Sequence, residues 1–258
     1  MSSAFAKFDF RGAIHVAGST TIRTPMQHAA EAFMTEQPGM IVTIAGGGSV
    51  RGLRGLIGGT VELAMATTEV SKEEQKDAAK RGQKLVSHVL GHDAIVPVVH
   101  PGNPVHRITL DELRGIYGGE IRNWKDLGGQ DSPITVLAQD PQSGTAESWH
   151  HMVLKDHAMT PKAVILEARE LRARVAQVPD AIGYVAHTFL DRSIHEVVVD
   201  GVTVSVETIR NGRYPLRRAF SLVSFANPPG PVQDFIDYMR AATKGQVMLA
   251  AAGNVTLK

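Results

Sequence analysis

Four short turns rich in small polar residues have the composition of an anion-binding site. They contain Ser19-Thr20-Thr21, Gly48-Ser49, Thr67-Thr68 and Ser143-Gly144-Thr145, and each follows an apolar run typical of a β-strand. A helix-like segment comes next in each case. A helix N-terminus offers unpaired N–H groups and a partial positive charge, and small residues let an anion approach the backbone closely. The hydroxyls add hydrogen-bond donors without adding net charge.

The same turns also have a simpler interpretation, which is helix capping. Ser and Thr are favoured N-caps, so any one of these turns taken alone predicts a cap. However, strands that alternate with helices predict a mostly parallel sheet with helices on its faces. Ligands of such sheets bind beyond the carboxyl ends of the strands, where all four turns are expected. Their common position favours an anion site over four independent caps.

Other binding and catalytic motifs match poorly. The run G-G-G-S-V-R-G fits neither the dinucleotide pattern G-x-G-x-x-G nor a P-loop, because no G-K-[ST] follows. Ser143 in Q-S-G-T lacks the flanking glycines of a nucleophile elbow, so a Ser143-dependent hydrolase is a weaker alternative. The chain has 11 histidines but no H-E-x-x-H. His150 and His151 are adjacent on a predicted helix, about 100° apart, and cannot converge on one ion. We therefore predict no catalytic residue and no metal site.

Composition narrows the class of protein further. The chain has 258 residues, 43% of them hydrophobic and 21% charged, with a formal net charge of +1 and no cysteine. This length can form one large or two small domains, and the missing cysteines exclude disulfides and thiol catalysis. The charge balance does not predict nucleic-acid binding, and no run approaches the roughly 18 apolar residues of a membrane helix. The N-terminus has no apolar signal-peptide core, so the protein is either cytosolic or has lost a signal.

The remaining segments predict further strands and helices. Ser71 is expected to cap the third helix, and Thr109 or Asp111 to begin the helix in T-L-D-E-L-R-G-I-Y-G. Strands are predicted for A-I-V-P-V-V-H-P, A-I-G-Y-V-A, E-V-V-V-D-G-V-T-V and Y-P-L-R-R-A-F-S-L-V-S-F. A last amphipathic helix is predicted for P-V-Q-D-F-I-D-Y-M-R.

Several motifs, in their order, resemble a known family. They are A-G-S-T-T-I-R-T-P-M, G-G-G-S-V-R-G-L-R-G-L-I-G-G-T-V-E-L-A-M-A, I-Y-G-G-E-I-R-N-W-K-D-L-G-G, Q-S-G-T and A-I-G-Y-V. The chain is similar, over roughly residues 13–257, to the phosphate-binding proteins of ABC-type phosphate importers, in the type II periplasmic binding-protein superfamily. The resemblance implies an α/β fold of two lobes, each a mixed, mostly parallel sheet flanked by helices. Two crossing strands would join the lobes, with an oxyanion held in the cleft. We expect lobe 1 to comprise 1–93 plus 188–258, and lobe 2 to comprise 94–187.

The resemblance also implies which residues bind the anion. Thr20 and Thr21 match the first anion-binding turn of the family, Ser49 matches the second, and Thr67 lies at the third strand end. Ser19, which belongs to the same polar turn as Thr20 and Thr21, is also predicted to bind the anion. Ser143, Gly144 and Thr145 belong to the other lobe.

Two positions depart from the family pattern. Gln139 stands where the family commonly has an arginine, and Thr67 where some members have an aspartate. Losing the arginine removes a charge-assisted contact, and losing the aspartate removes an acceptor for a protonated ligand oxygen. We hypothesise that Arg51 or Arg23, at the starts of the first two binding helices, supplies the missing charge.

The sequence therefore predicts a non-enzymatic, periplasmic or otherwise extracytoplasmic receptor. Its ligand would be inorganic phosphate or a similar tetrahedral oxyanion, delivered to an ABC transporter permease. We expect a monomer without a cofactor, without nucleic acid and without membrane insertion. The alternatives are another anion (sulfate, molybdate, tungstate or a small organic anion) and a cytosolic anion-sensing domain.

Overall fold

The computed structural model describes residues 12–141, 143–155 and 157–257. The described chain divides into two units, unit 1 with residues 12–90 and 220–257 and unit 2 with the described residues of 91–219. Two long strands contain residues of both units, β4 (Leu85–Val99) and β11 (Arg217–Phe225). Residues 1–11 and 258, which we had assigned to lobe 1, and the glutamine of Q-S-G-T lie outside the described residues.

Unit 1 contains the first three strand–turn–helix repeats. Its strands are β1 (Gly12–Gly18), β2 (Met40–Ala45), β3 (Leu63–Ala66) and β12 (Val255–Thr256). Its helices are α1 (Arg23–Glu36), α2 (Ser49–Gly58), α3 (Lys72–Ala79), α8 (Gly230–Arg240) and α9 (Gly245–Ala251). The strand order is β2-β1-β3-β11, in which β1 runs parallel to both β2 and β3 and β11 runs antiparallel to β3. Parallel pairing brings the carboxyl ends of the first three strands to one edge.

The core of unit 1 explains why its helices form where they do. In α1, Met26, Ala30 and Phe33 recur at helical spacing and are buried against β1 and β2 residues. Phe33 contacts two rings of α8 edge-on, with centroid distances of 5.2 Å to Phe235 and to Tyr238. Ser71 caps α3 as predicted, since its hydroxyl accepts the Glu74 N–H in a reciprocal capping box.

Unit 2 contains the other part of the strand order. Its further strands are β5 (Arg107–Ile108), β6 (Thr135–Gln139), β7 (Val164–Leu166), β8 (Ala181–Ala186), β9 (His195–Glu196) and β10 (Val198–Val199). The order is β4-β8-β6-β7, with β6 parallel to both β7 and β8. The helices are α4 (Leu110–Gly118), α5 (Gly144–Trp149), α6 (Ala168–Gln177) and α7 (Val206–Arg210), with 3₁₀ turns at Trp124–Leu127 and His187–Phe189. A π-helical segment, His150–Leu154, continues α5.

Two features differ from the sequence expectation. The helix α9 follows the one that we predicted to be last, and its Gly245 packs directly on the preceding helix, where an added Cβ would lie 2.4 Å from Met239 Cα. In addition, the chain leaves unit 2 after residue 219, whereas we expected the second crossing after 187. The intervening segment stays in unit 2 because β9 pairs with β4 at Val98 and Val99, and β10 pairs with β5.

The predicted mixed α/β architecture is confirmed, as is the start of α4 at Thr109, whose hydroxyl accepts the Glu112 N–H. In the part of the chain that the structure describes, no helix is both long enough and apolar enough to span a bilayer.

Candidate anion-binding turns

The three turns of unit 1 lie at the carboxyl ends of neighbouring strands. The register pairs Ala17 of β1 with Ala45 of β2, and Gly18 of β1 with Met65 of β3. The turns that follow these strands therefore emerge side by side, as parallel pairing predicts. The Ser19 N–H donates to Met65 O at 2.8 Å, and the Gly48 N–H donates to Gly18 O at 3.0 Å. These two bonds tie the first turn to the third strand, and the second turn to the first strand.

Backbone contact between β1 and α2 fixes the start of α2. A Cβ added to Gly52 would lie 2.5 Å from Ala17 O, so that α2 can approach β1 only with glycine at this position. Gly18 has φ +142°, and a Cβ there would lie 2.1 Å from Met65 O. A side chain at Gly52 would push α2 away from β1, and a side chain at Gly18 would push β1 away from β3. The glycines thus hold the N-terminus of α2 close to the ends of β1 and β3.

Three hydroxyls from the three turns meet in a buried cluster. Ser19, Ser49 and Thr67 are all at most 1% exposed. Thr67 Oγ1 lies 3.4 Å from Ser19 Oγ and 3.3 Å from Ser49 Oγ, and the Thr67 N–H donates to Ser49 Oγ at 3.1 Å. Each hydroxyl can donate one proton and accept others, so the cluster can reorient to suit a ligand oxygen.

The hydroxyls of Ser19 and Ser49 do not cap α1 and α2. The N-cap of α1 is Ile22 and that of α2 is Gly48, and neither of these residues has a side chain that can cap its helix. The first amides of a helix also have no intrahelical acceptor. The capping interpretation of Ser19 and Ser49 is therefore wrong, and the N-termini of α1 and α2 keep their character as donor sites.

The other predicted residues of unit 1 lie around this cluster. Thr20 is exposed and Thr21 half-buried at the approach to α1. Arg23 and Arg51 are exposed and flank the loop between β2 and α2. A Cβ added to Gly46 would lie 3.3 Å from Arg23 Cδ, and one added to Gly47 would lie 3.0 Å from Arg51 Cδ. Both cations thus lie beside the glycine loop that leads into α2.

In unit 2 the S-G-T turn does begin a helix with a cap. Ser143 is the N-cap of α5, and its hydroxyl accepts the Ala146 N–H at 3.0 Å. The same hydroxyl donates to Gln139 Oε1 at 3.4 Å. Gly144 and Thr145 form the first residues of the helix and are buried. The capping interpretation therefore holds for this turn. The N–H groups in the first turn of α5 still point toward the N-terminus of the helix.

Gln139 is anchored by two hydrogen bonds to Tyr184. Its Nε2 donates to Tyr184 O at 2.9 Å, and its N–H donates to the Tyr184 hydroxyl at 3.1 Å. The Tyr184 ring stacks on Trp149 at 4.2 Å with an interplanar angle of 8°. Burial raises the pKa of Tyr184 well above its usual range, while the Gln139 N–H opposes that rise, so the phenol stays neutral. The glutamine is therefore a well-anchored neutral side chain next to Ser143.

Sequence reasoning missed one ion pair beside this turn. Arg218 of β11 and Asp93 of β4 are 6% and 1% exposed, and their Nη2 and Oδ2 atoms lie 2.9 Å apart. Arg218 also donates to Gly144 O and to Thr145 Oγ1, each at 3.0 Å. The sequence did contain an indication of this pair, because a charged residue lies within each of two apolar strands, G-H-D-A-I-V-P-V-V and R-R-A-F-S-L-V-S-F. Charged residues are seldom fully buried unless they are paired.

The donor set of the turns suits an oxyanion rather than a cation. In unit 1 it consists of hydroxyls, backbone amides at two helix starts and nearby arginines, and in unit 2 of the hydroxyls and amides of the S-G-T turn. All of these groups can donate hydrogen bonds to negative oxygens. In the described ranges no group of three histidine, aspartate or glutamate side chains is placed to hold a metal ion.

Comparison with known proteins agrees with this chemistry. The sequence pattern of the PBP superfamily domain matches residues 9–242. The phosphate-binding protein PstS of Bacillus subtilis is 29% identical over 232 residues, covering 89% of this chain and 76% of the relative. PstS of Borreliella burgdorferi is 25% identical over 258 residues, covering 95% and 90%.

Solved structures give the same result. A protein from Clostridium perfringens, described as a phosphate ABC transporter substrate-binding protein with bound phosphate, has a TM-score of 0.82 and 30% identity, covering 95% of this chain and all (100%) of that one. An ABC-type phosphate transport receptor from Vibrio cholerae has a TM-score of 0.85 and 25% identity, covering 94% and 99%. The chain belongs to the PBP superfamily, among the phosphate-binding proteins of ABC-type phosphate transporters.

Proposed function

We propose that the protein is an extracytoplasmic receptor that binds inorganic phosphate and delivers it to an ABC transporter permease, without catalysing a reaction. The observation that carries the proposal is the arrangement in unit 1. There, α1 and α2 begin without a side-chain cap beside the buried hydroxyls of Ser19, Ser49 and Thr67. The hydroxyls that would cap ordinary helices are instead gathered where an anion would meet the amides. The relatives named as phosphate-binding proteins support phosphate as the ligand.

In this proposal each predicted residue has a role in binding the anion. Ser19, Thr20, Thr21 and Ser49 donate from unit 1, with Thr67 completing the hydroxyl cluster. From unit 2 the donors are Ser143, Gly144 and Thr145, while Gln139 orients Ser143. Arg51 and Arg23 supply positive charge at the rim of the α2 loop. The protein acts as a monomer in this scheme.

A thermal-shift panel of oxyanions tests the proposal. A ligand at 100 times its Kd stabilises the folded protein by about 2.7 kcal/mol. Phosphate should therefore raise the melting temperature clearly, while chloride at equal ionic strength should not. Isothermal titration would then give the stoichiometry, which we expect to be one anion per chain. A phosphate response no larger than that of chloride would refute the assignment.

A second ligand class is favoured by one specific observation. Thr67 and Gln139 are both neutral, so that neither the carboxylate that accepts a ligand proton nor the usual arginine is present at these positions. Such a site discriminates less strongly between phosphate and a fully ionised anion such as sulfate. Sulfate, molybdate and tungstate therefore belong in the same panel, and a larger shift with any of them would replace phosphate as the ligand.

The hydrolase alternative lacks a base. Among the described residues the Ser143 hydroxyl donates to the Gln139 amide oxygen, which cannot take up a proton as a general base does. Phosphate-ester turnover that disappears in Ser143→Ala would reinstate this alternative.

A further inference from the structure

We propose that Arg218 is a positioning residue of the anion site: it holds the first peptide of α5 in place so that the donors of the S-G-T turn face the anion. The inference rests on the proposed function and deepens it, because Arg218, which is not among the predicted binding residues, would orient the donors of the S-G-T turn. It is carried by the contacts of one guanidinium group.

Arg218 holds the turn at two points. Nη1 donates to Gly144 O and Nη2 donates to Thr145 Oγ1, each at 3.0 Å. Nη1 also lies 3.4 Å from Ser148 Oγ, and the Ser148 hydroxyl itself donates to Gly144 O at 2.7 Å. The Gly144 carbonyl is therefore held from one side by a cation and a hydroxyl.

The orientation of the donors follows from peptide geometry. In a trans peptide the C=O and the N–H point in opposite directions. Because the Gly144 carbonyl points at the guanidinium, the Thr145 N–H points away from it, toward the open N-terminus of α5. The Thr145 hydroxyl oxygen accepts from Arg218, which biases the hydroxyl toward donating its own proton elsewhere. A cation on the carbonyl also polarises the peptide and strengthens its N–H as a donor.

Arg218 is itself fixed. Asp93 binds Nη2 at 2.9 Å, and both side chains are more than nine-tenths buried. Their Nε and Oδ1 atoms have no hydrogen-bond partner within the described structure. A buried pair with unsatisfied atoms is costly, and well-packed apolar residues often replace such pairs without loss of stability. Its presence beside the S-G-T turn is therefore better explained by what Arg218 does to the turn than by stability alone.

The two hydrogen bonds from Arg218 to the turn allow a positioning role to be distinguished from a purely electrostatic one. Lysine keeps the charge, but a single ammonium group lacks the planar fork that reaches a carbonyl, a hydroxyl and a carboxylate together. If Arg218 positions the turn, Arg218→Lys should weaken phosphate binding almost as much as Arg218→Gln. If only the charge matters, lysine should restore it.

The experiment is isothermal titration of phosphate into the wild type, Arg218→Lys, Arg218→Gln and the charge-neutral double variant Arg218→Gln/Asp93→Asn. The double variant leaves no buried charge unpaired, so it keeps the test possible if a single variant unfolds; circular dichroism confirms folding of each protein. Hydrogen bonds to charged groups contribute about 1.5–3 kcal/mol, so we expect about tenfold to hundredfold weaker binding in every folded variant. Arg172→Lys is the matched control, because Arg172 also joins a carbonyl, Phe189 O, to a carboxylate, Asp191, and it should bind phosphate like the wild type.

A double-mutant cycle adds a readout that a purely structural role would not move. Combining Arg218→Lys with Thr145→Val should cost less affinity than the sum of the single changes, because both act on the same donors. Wild-type affinity in Arg218→Lys would overturn the positioning role while leaving the proposed function intact, and additive losses would do the same. Failure of the wild type to bind phosphate would instead refute the proposed function, and this inference with it.

Discussion

The buried hydroxyl cluster of unit 1 gives the most direct test of the site, through Ser49→Ala. Ser49 Oγ accepts the Thr67 N–H at 3.1 Å and lies 3.3 Å from Thr67 Oγ1. The substitution leaves a buried N–H without its acceptor, which costs about 1–3 kcal/mol of folding stability. One kcal/mol shifts the melting temperature of a protein of this size by about 2–4 °C, so we expect a fall of about 2–12 °C without ligand.

Phosphate should also stabilise this variant less. Losing a hydrogen bond to a charged ligand weakens binding by about tenfold or more. At a phosphate concentration of 100 times the wild-type Kd, the ligand stabilises the wild type by about 2.7 kcal/mol, and a tenfold weaker variant by about 1.4 kcal/mol. The phosphate-induced rise in melting temperature should therefore drop from about 5–11 °C to about 3–6 °C. Differential scanning fluorimetry over a phosphate series measures both effects.

Ser71→Ala is the matched control for this prediction. Ser71 also stands at the start of a helix, but its hydroxyl caps α3 through the Glu74 N–H. Loss of that cap should cost about 1 kcal/mol and leave the phosphate-induced rise unchanged. If Ser49→Ala loses stability but keeps the full phosphate-induced rise, the cluster is a structural network, and our account of the unit 1 turns is refuted.

Three further predictions test the scaffold and the electrostatics. Gly52→Ala should lower the free energy of unfolding by about 1–3 kcal/mol, because its Cβ would lie 2.5 Å from a β1 carbonyl oxygen. Gly58→Ala on the same helix meets nothing within 4 Å and should be neutral or stabilising in the same urea titration. Asp93→Ala should cost about 3–5 kcal/mol by leaving a buried arginine unpaired, whereas Asp77→Ala, in an exposed ion pair, should cost less than about 1 kcal/mol; equal losses would contradict this ranking. Burial, and secondarily a nearby arginine, lower the pKa of His88 in the folded protein from 6.5. The unfolded chain therefore binds the proton more readily, and the stability of the fold should decrease as the pH drops below about 6.5. His88→Gln should make the melting temperature less dependent on pH between about pH 5 and 7.

Local features of the structure could be predicted from the sequence because their partners are neighbours along the chain. Ser71 and Thr109 each have a glutamate three residues later, and both form the reciprocal capping boxes that this spacing predicts. The strands before the turns were equally visible, since each is a short apolar run followed by small polar residues. In these segments local preference and tertiary structure agree.

Features that depend on distant partners could not be predicted in this way. Ser19 and Ser49 resemble caps in sequence, and only the position of Thr67 after the third strand shows that their hydroxyls join a cluster instead. Arg218 and Asp93 are far apart along the chain, so nothing local indicates their pairing. The helix α9 was missed for a different, local reason, because Gly245 at its start is a poor helix former.

The glycine contact between β1 and α2 has a consequence for how the family can diverge. The amides at the start of α2 belong to the backbone, so among single substitutions only proline removes one of these N–H groups, and Gly52 lets the helix that carries them approach β1. Side chains around them, such as Thr67, can change without moving this framework. The fold thus separates donors that most substitutions leave in place from side chains that can be exchanged, so a few hydroxyl or carboxylate exchanges can change which anion is preferred.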